Sequence, residues 1–246
     1  IVMEYVRGNT LKHLLNKRGH LTLTEAVDIM LQLTEGISHA HKSYIIHRDL
    51  KPENILVTGK ELVLADLGIA HFENSNITTK QELLANRGYS APEQKIKGLS
   101  KEITTAVDIF SLGLIINEIF TGKKPEGSNF TLVSDVYPWL IAIDELVERC
   151  MRQNPKERPT ISDILSEMEY IYKKVNVELN EIKEYLVDEF EELNLIQKCN
   201  NEIKNRIIKQ VINDFLTAKY FLRIKLHKNW KNIIIIIIAM YITNLI

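Results

Sequence analysis

Only two cysteines occur in the 246 residues, Cys150 and Cys199, and they stand alone, without metal-binding or redox spacing. That excludes a disulfide framework and suits a reducing compartment, with both thiols as packing or surface residues. An excess of charge of one sign is also lacking. Lys and Arg total 31 against 32 Asp and Glu, a formal net charge of -1. No global field draws the chain to nucleic acid, so no nucleic-acid partner is expected and any charged partner must meet a local patch. No basic, apolar, small-residue leader follows Ile1, so no secretory signal is read and a cytoplasmic location is expected. Long apolar runs are scarce. The most apolar stretch, Ile233 to Ile246, would span only about 21 Å as a helix at 1.5 Å per residue. The hydrocarbon core is about 30 Å thick.

What is present is ample core material: 45% of residues are apolar, enough for one large domain or a domain with an appendage. Residues Ile1 to Val6 read as the end of a buried strand, and a lone strand at a terminus lacks a pairing partner, so the start reads as cut. Arg7-Gly8-Asn9 is turn chemistry, and Thr10 to Lys17 forms a short helix. Thr22 and Glu25 make a capping-box pair for a longer helix to about His41, with Ala26, Ile29, Met30, Leu33, Ile37 and Ala40 at helical spacing. Ile55-Leu56-Val57 and Leu62-Val63-Leu64 flank a turn and predict a hairpin. Residues 69 to 92 form a long polar loop, of the kind that carries function inside a compact domain. Thr105 to Thr121 is apolar on nearly every face, as for a helix at the centre of a lobe, with Asp108 and Asn117 as polar exceptions. Further helices are predicted over residues 139 to 152 and from Thr160 and Asp163 to about Tyr172. Beyond Tyr172, Leu179, Ile182, Leu186, Leu193, Ile196, Ile203 and Ile207 repeat at interrupted three-four spacing in a polar background, a coiled-coil or helical-hairpin signal.

The chemistry concentrates in His47-Arg48-Asp49-Leu50-Lys51-Pro52-Glu53-Asn54. Asp49 is a candidate base, Lys51 a cation for a moving phosphate and Asn54 a neutral metal ligand, with a second carboxylate at Asp66. This is the set that phosphoryl transfer needs. As ordinary turn and cap residues, Asp49, Asn54 and Asp66 would need no such company.

The string resembles the catalytic loop of eukaryotic-type serine/threonine protein kinases. The resemblance implies a mainly α fold, the helical large lobe with short β-hairpins at the cleft, followed by a C-terminal helical extension. It implies that Asp49 accepts or orients the substrate hydroxyl proton and that Lys51 meets the charge on the transferred phosphoryl. Asn54 and Asp66 would hold Mg2+, whose preference is for oxygen ligands. Asp66-Leu67-Gly68 stands where the family usually has Asp-Phe-Gly, a departure that keeps the apolar packing. Met3-Glu4-Tyr5-Val6 is similar to the hinge, with Met3 as gatekeeper and backbone groups of Glu4 and Val6 toward adenine. Glu53 and Leu56 join Met3, Glu4, Val6, Lys51, Asn54 and Asp66 in the ATP-binding set that the resemblance implies.

Ala91-Pro92-Glu93 is similar to the end of the activation segment, with Glu93 expected to pair with Arg158. Asp108 is expected to bind the backbone near His47 and Arg48. Arg48 is the residue that in the family meets a phosphate on the activation loop, where Ser75, Thr78 and Thr79 are available and Glu82 offers a fixed negative charge. Asn86 stands where a threonine is usual, which bears on efficiency and hydroxyl preference.

The expected division is kinase hinge and large lobe over 1–172, a helical extension over 173–231 able to take a helical partner, and an apolar tail over 232–246. A membrane tether through Lys225, Lys228, Trp230 and Lys231 ahead of the isoleucine run is the minor reading. No glycine-rich loop or strand lysine precedes the hinge, so the chain reads as a kinase fragment expected to transfer little phosphate to its protein substrate alone. The alternative is a catalytically silent scaffold or interaction module.

Overall fold

The computed structural model describes residues 5–19, 21–59, 61–66, 88–95, 104–127, 130–138 and 140–192, with side chains described as far as Val177. The chain divides into two compact units, Ile1–Val136 with Ile141–Tyr170, and Tyr137–Leu140 with Ile171–Ile246.

In the first unit Tyr5 and Val6, the described end of the expected opening strand, do not lie in a strand, and residues 1–4 of it lie outside the described residues. The pairing segment comes later. Asn9–Thr10, expected as turn and helix start, forms a two-residue strand β1. Gly8 makes this possible, because a Cβ there would come within 2.7 Å of the Val57 carbonyl oxygen. The expected hairpin is present as β2, Ile55–Thr58, and β3, Glu61–Leu64. The three strands form one antiparallel sheet in the order β1-β2-β3, with Asn9 opposite Val57 and Leu56 opposite Val63.

Two N-capped helices follow from local sequence. Thr10 caps α1, Leu11–Arg18, through a bond from His13 N, and Gly19 closes it at φ 76°. Thr22 caps α2, Leu23–Lys42, and the capping box with Glu25 is complete in both directions. α2 buries Ala26, Ile29, Met30, Leu33 and Ile37 of the residues that the helical spacing marks, while Ala40 is half-buried.

The core is organised by α3, Ala106–Thr121, in which every residue from Val107 to Thr121 is buried. It packs against α2 and against α5, Ile141–Cys150. Close approach to α5 depends on Gly113, whose Cβ, if present, would lie 2.6 Å from Cys150 Cβ. Burial pushes the Cys150 thiol up to about 12, leaving it a neutral packing group. A four-residue helix α4, Val133–Val136, carries no sequence signal of its own; Asp144 of α5 holds it by accepting from Val133 N and Ser134 N.

The last helix, α6, begins at Ile161 after a Thr160–Asp163 cap and continues to Glu192, well past the expected end at Tyr172. No glycine or proline interrupts residues 161–192, so nothing local stops it. In the second unit Leu140 N donates to Tyr137 O at 2.8 Å. Among the described residues no helix is long and apolar enough to cross a membrane. The isoleucine run, the apolar repeat beyond Leu193 and most of the 69–92 loop lie outside the described residues.

Two expectations follow. Gly113→Ala forces α3 and α5 apart and should cost about 1–3 kcal/mol, read as a lower urea midpoint. Burial acts to raise the Glu25 carboxyl, but bonds from Thr22 and Arg18 outweigh it and hold it below its ordinary value. The Thr160 hydroxyl and N–H similarly lower Asp163. A carboxylate lowered on folding stabilises above its unfolded pKa and loses that contribution as pH falls through its folded one. Glu25→Gln keeps an acceptor without the charge. It should therefore be less stable than wild type at pH 7, with the gap closing below about pH 4 in melts run across pH.

Candidate active site

A carboxylate buried in α3 sets the backbone of the candidate loop. Asp108 Oδ2 accepts from His47 N at 2.9 Å and Oδ1 from Arg48 N at 2.8 Å. His41 Nε2 at the end of α2 lies 2.8 Å from the same Oδ2. Such charge-assisted bonds to backbone N–H groups are strong where water is excluded. They hold Arg48 at φ 64°, a left-handed conformation that costs a non-glycine residue about 1–2 kcal/mol. His47 is buried and its Nε2 lies 3.0 Å from the Ala65 carbonyl oxygen, which ties the loop to the end of β3.

On that frame three predicted site residues meet. Asp49 Oδ2 lies 2.9 Å from Lys51 Nζ and accepts from Asn54 Nδ2 at 3.1 Å. Asn54 Nδ2 also donates to Asp49 O at 2.8 Å, so the amide nitrogen is committed and its Oδ1 faces elsewhere. The Asp49 side chain keeps 43% of its surface exposed against 13% for Lys51, so the carboxylate remains open to an incoming group. Pro52 starts the single 3-10 turn that swings Asn54 back under Asp49.

Asp66 follows Ala65, whose N–H donates to Asn54 O at 2.9 Å, and sits at φ 57° with its side chain exposed. It has no hydrogen bond or ion pair among the described residues, so it adjoins the cluster through the backbone. Glu53 is exposed and outside this hydrogen-bonded set, and Leu56 is half-buried in β2 beside Thr10 of β1. Val6 is half-buried. Met3, Glu4, Leu67, Gly68, Ser75, Thr78, Thr79, Glu82 and Asn86 lie outside the described residues.

The expected scaffold pair is present. Arg158 Nη1 and Nη2 donate to Glu93 Oε1 at 2.6 Å and Oε2 at 2.9 Å. The guanidinium also donates to the carbonyls of Ala106 and Arg152, each at 2.8 Å, and stacks 5.0 Å from the Phe110 ring centroid.

Several positioning groups escaped the sequence reading. Glu118, buried in α3, accepts from the Tyr89 hydroxyl and, at 2.8 Å, from Lys12 of α1. Burial and then the bond to Glu118 push the Tyr89 phenol above its ordinary range, so it stays a donor. Ser111 Oγ donates to Tyr89 O at 2.8 Å, and Gln94 Nε2 donates to Arg48 O at 2.7 Å. A charged residue inside an apolar helix was the signal available for Glu118. Tyr89, Gln94 and Lys12 carried none.

The residues that would take a divalent cation fit hard-ion chemistry: Asn54 Oδ1 and the Asp66 carboxylate are oxygen donors with no partner among the described residues. No group of three His, Cys, Asp or Glu side chains that could hold a metal occurs there.

A family profile described as the protein kinase domain matches residues 1–171. The chain belongs to the protein kinase domain family. Among the relatives of this chain, a probable serine/threonine-protein kinase of Clostridium acetobutylicum is 34% identical over 186 residues, 68% of this chain and 28% of that protein. The serine/threonine-protein kinase PrkC of Bacillus subtilis is 41% identical over 127 residues, 51% of this chain and 19% of that protein. The serine/threonine-protein kinase PkaA of Streptomyces coelicolor is 29% identical over 196 residues, 73% of this chain and 35% of that protein. The matched region thus spans between about a fifth and a third of these relatives.

Arg158→Met leaves Glu93 charged, largely enclosed and unpaired. The loss should be about 3–5 kcal/mol, read by denaturant unfolding, whereas Arg152→Met at the exposed surface should cost far less.

Proposed function

We propose that this chain supplies the phosphoryl-transfer lobe of a protein serine/threonine kinase, moving the γ-phosphoryl of ATP to a serine or threonine hydroxyl of a protein. The observation that carries this reading is the meeting of Lys51 Nζ and Asn54 Nδ2 on one oxygen of a partly exposed carboxylate, Asp49. A carboxylate with one oxygen so engaged has its other oxygen available to a substrate hydroxyl.

In this reading the hydroxyl oxygen attacks the γ-phosphorus, the bond from that phosphorus to the bridging oxygen breaks, and ADP leaves. Asp49 orients the hydroxyl and takes its proton, and Lys51 balances charge on the phosphoryl oxygens as it spreads in a loose transition state. Asn54 and Asp66 would hold Mg2+, which supplies charge neutralisation at the phosphates. Lys51 beside Asp49 favours aliphatic hydroxyls, by resemblance to the serine/threonine branch. Residues 1–172 are read as hinge and large lobe, with Met3, Glu4, Val6, Glu53 and Leu56 toward the nucleotide.

The test uses the full gene product with Mg2+, ATP and matched peptides carrying serine, threonine or tyrosine. Asp49→Asn should lower kcat by about 10²–10⁴-fold while nucleotide binding, followed by fluorescence titration, is retained. Serine and threonine peptides should be preferred. An Asp49→Asn protein as active as wild type would sink the assignment, and an inert wild type that still binds a partner protein would favour the scaffold reading.

A further inference from the structure

We infer that Gln94 is a positioning residue for Asp49, an assignment that rests on the kinase reading above. The peptide plane joining Arg48 to Asp49 is held at both of its polar ends. Its N–H, on Asp49, donates to His47 O at 2.9 Å, and its carbonyl oxygen, on Arg48, accepts from Gln94 Nε2 at 2.7 Å. A peptide unit is rigid. Fixing its oxygen and its hydrogen therefore fixes the direction in which the Asp49 Cα leaves it.

The preceding peptide plane is already held by Asp108 through Arg48 N, and Arg48 itself sits at φ 64°. A left-handed residue persists where its surroundings over-determine it. Asp108 determines one side of Arg48, and Gln94 determines the other.

The side-chain amide of Gln94 can take only one orientation here. Its Oε1 accepts from Ala91 N at 2.9 Å, a group that can only donate, while its Nε2 faces a carbonyl that can only accept. Gln94 lies in the 3-10 turn Pro92–Lys95, anchored through Glu93 to Arg158. The turn adjoins Tyr89, which Glu118 and Ser111 hold to α3. The Gln94 amide thereby ties the segment 88–95 to the loop bearing Asp49. A carboxylate in its place would accept from Ala91 N but repel the Arg48 oxygen, and an apolar side chain would do neither.

The experiment compares wild type, Gln94→Glu and Gln94→Leu in the full gene product, with peptide phosphorylation measured from pH 8 to 5.5 and folding checked by cooperative thermal melts. Misplacement of a reacting group by about 1 Å costs on the order of a hundredfold, so both variants should lose about tenfold or more in kcat at pH 8. KM for nucleotide and peptide should stay within about twofold. As pH falls, protonation of the new carboxyl supplies an O–H donor to Arg48 O, so the kcat of Gln94→Glu relative to wild type should rise. The same ratio for Gln94→Leu should stay flat.

Wild-type kcat in either folded variant, a loss carried by KM, or a flat pH ratio for folded Gln94→Glu would overturn the inference. If only Gln94→Leu folds, its division of the loss between kcat and KM decides. Collapse of both variants would assign Gln94 to stability alone and overturn it too. A wild-type protein that transfers no phosphate brings down the kinase reading and this inference with it. A working wild type with indifferent variants brings down the inference alone.

Discussion

The grip of Asp108 on two consecutive backbone N–H groups, those of His47 and Arg48, is the constraint on which the rest of the structure depends. A loop holding a left-handed arginine is strained, and alone it would relax. Placing its anchor on a helix buried from Val107 to Thr121 gives the anchor a fixed position and a low local dielectric, both of which strengthen the bonds. The cost of burying a carboxylate is offset by three polar partners, His41 being the third.

The same helix serves the rest of the site. Its buried polar residues reach three separate segments: Asp108 the 47–48 backbone, Ser111 and Glu118 Tyr89, and Asn117 the carbonyl of Thr131 at 3.1 Å. Each apolar neighbour contributes packing, and each polar one fixes a loop. A helix that is apolar on nearly every face is thus core and framework together, and Gly113 lets α5 close over it.

Where local chemistry decides, the sequence predicts the structure well: the capping box at Thr22 and Glu25, the hairpin at 55–64 and the buried α3 all follow from residues within a few positions of each other. The pairs expected between Asp108 and the loop and between Glu93 and Arg158 came from family resemblance, since contacts 60 and 65 residues apart leave no local trace. For the same reason Gln94, Tyr89 and Lys12 were missed: a glutamine after a glutamate looks like any surface residue until the chain is folded. β1 departs from the turn expected at Arg7-Gly8-Asn9 because only pairing with Val57 and Leu56, which the bare Gly8 permits, makes Asn9–Thr10 a strand. The change of composition beyond Tyr172 points to an end there, yet helix continuation needs only the absence of a stop, and α6 runs on to Glu192.

The sequence distance spanned by the Asp108 bonds also bears on how the molecule reaches its native state. Closing a loop of that length loses chain entropy before any contact is gained, so such pairings form late relative to α1, α2 and the hairpin. Before α3 docks, the Asp108 bonds that help to hold Arg48 left-handed are missing. The backbone that carries Asp49 is therefore completed together with the core, since its anchor is part of that core.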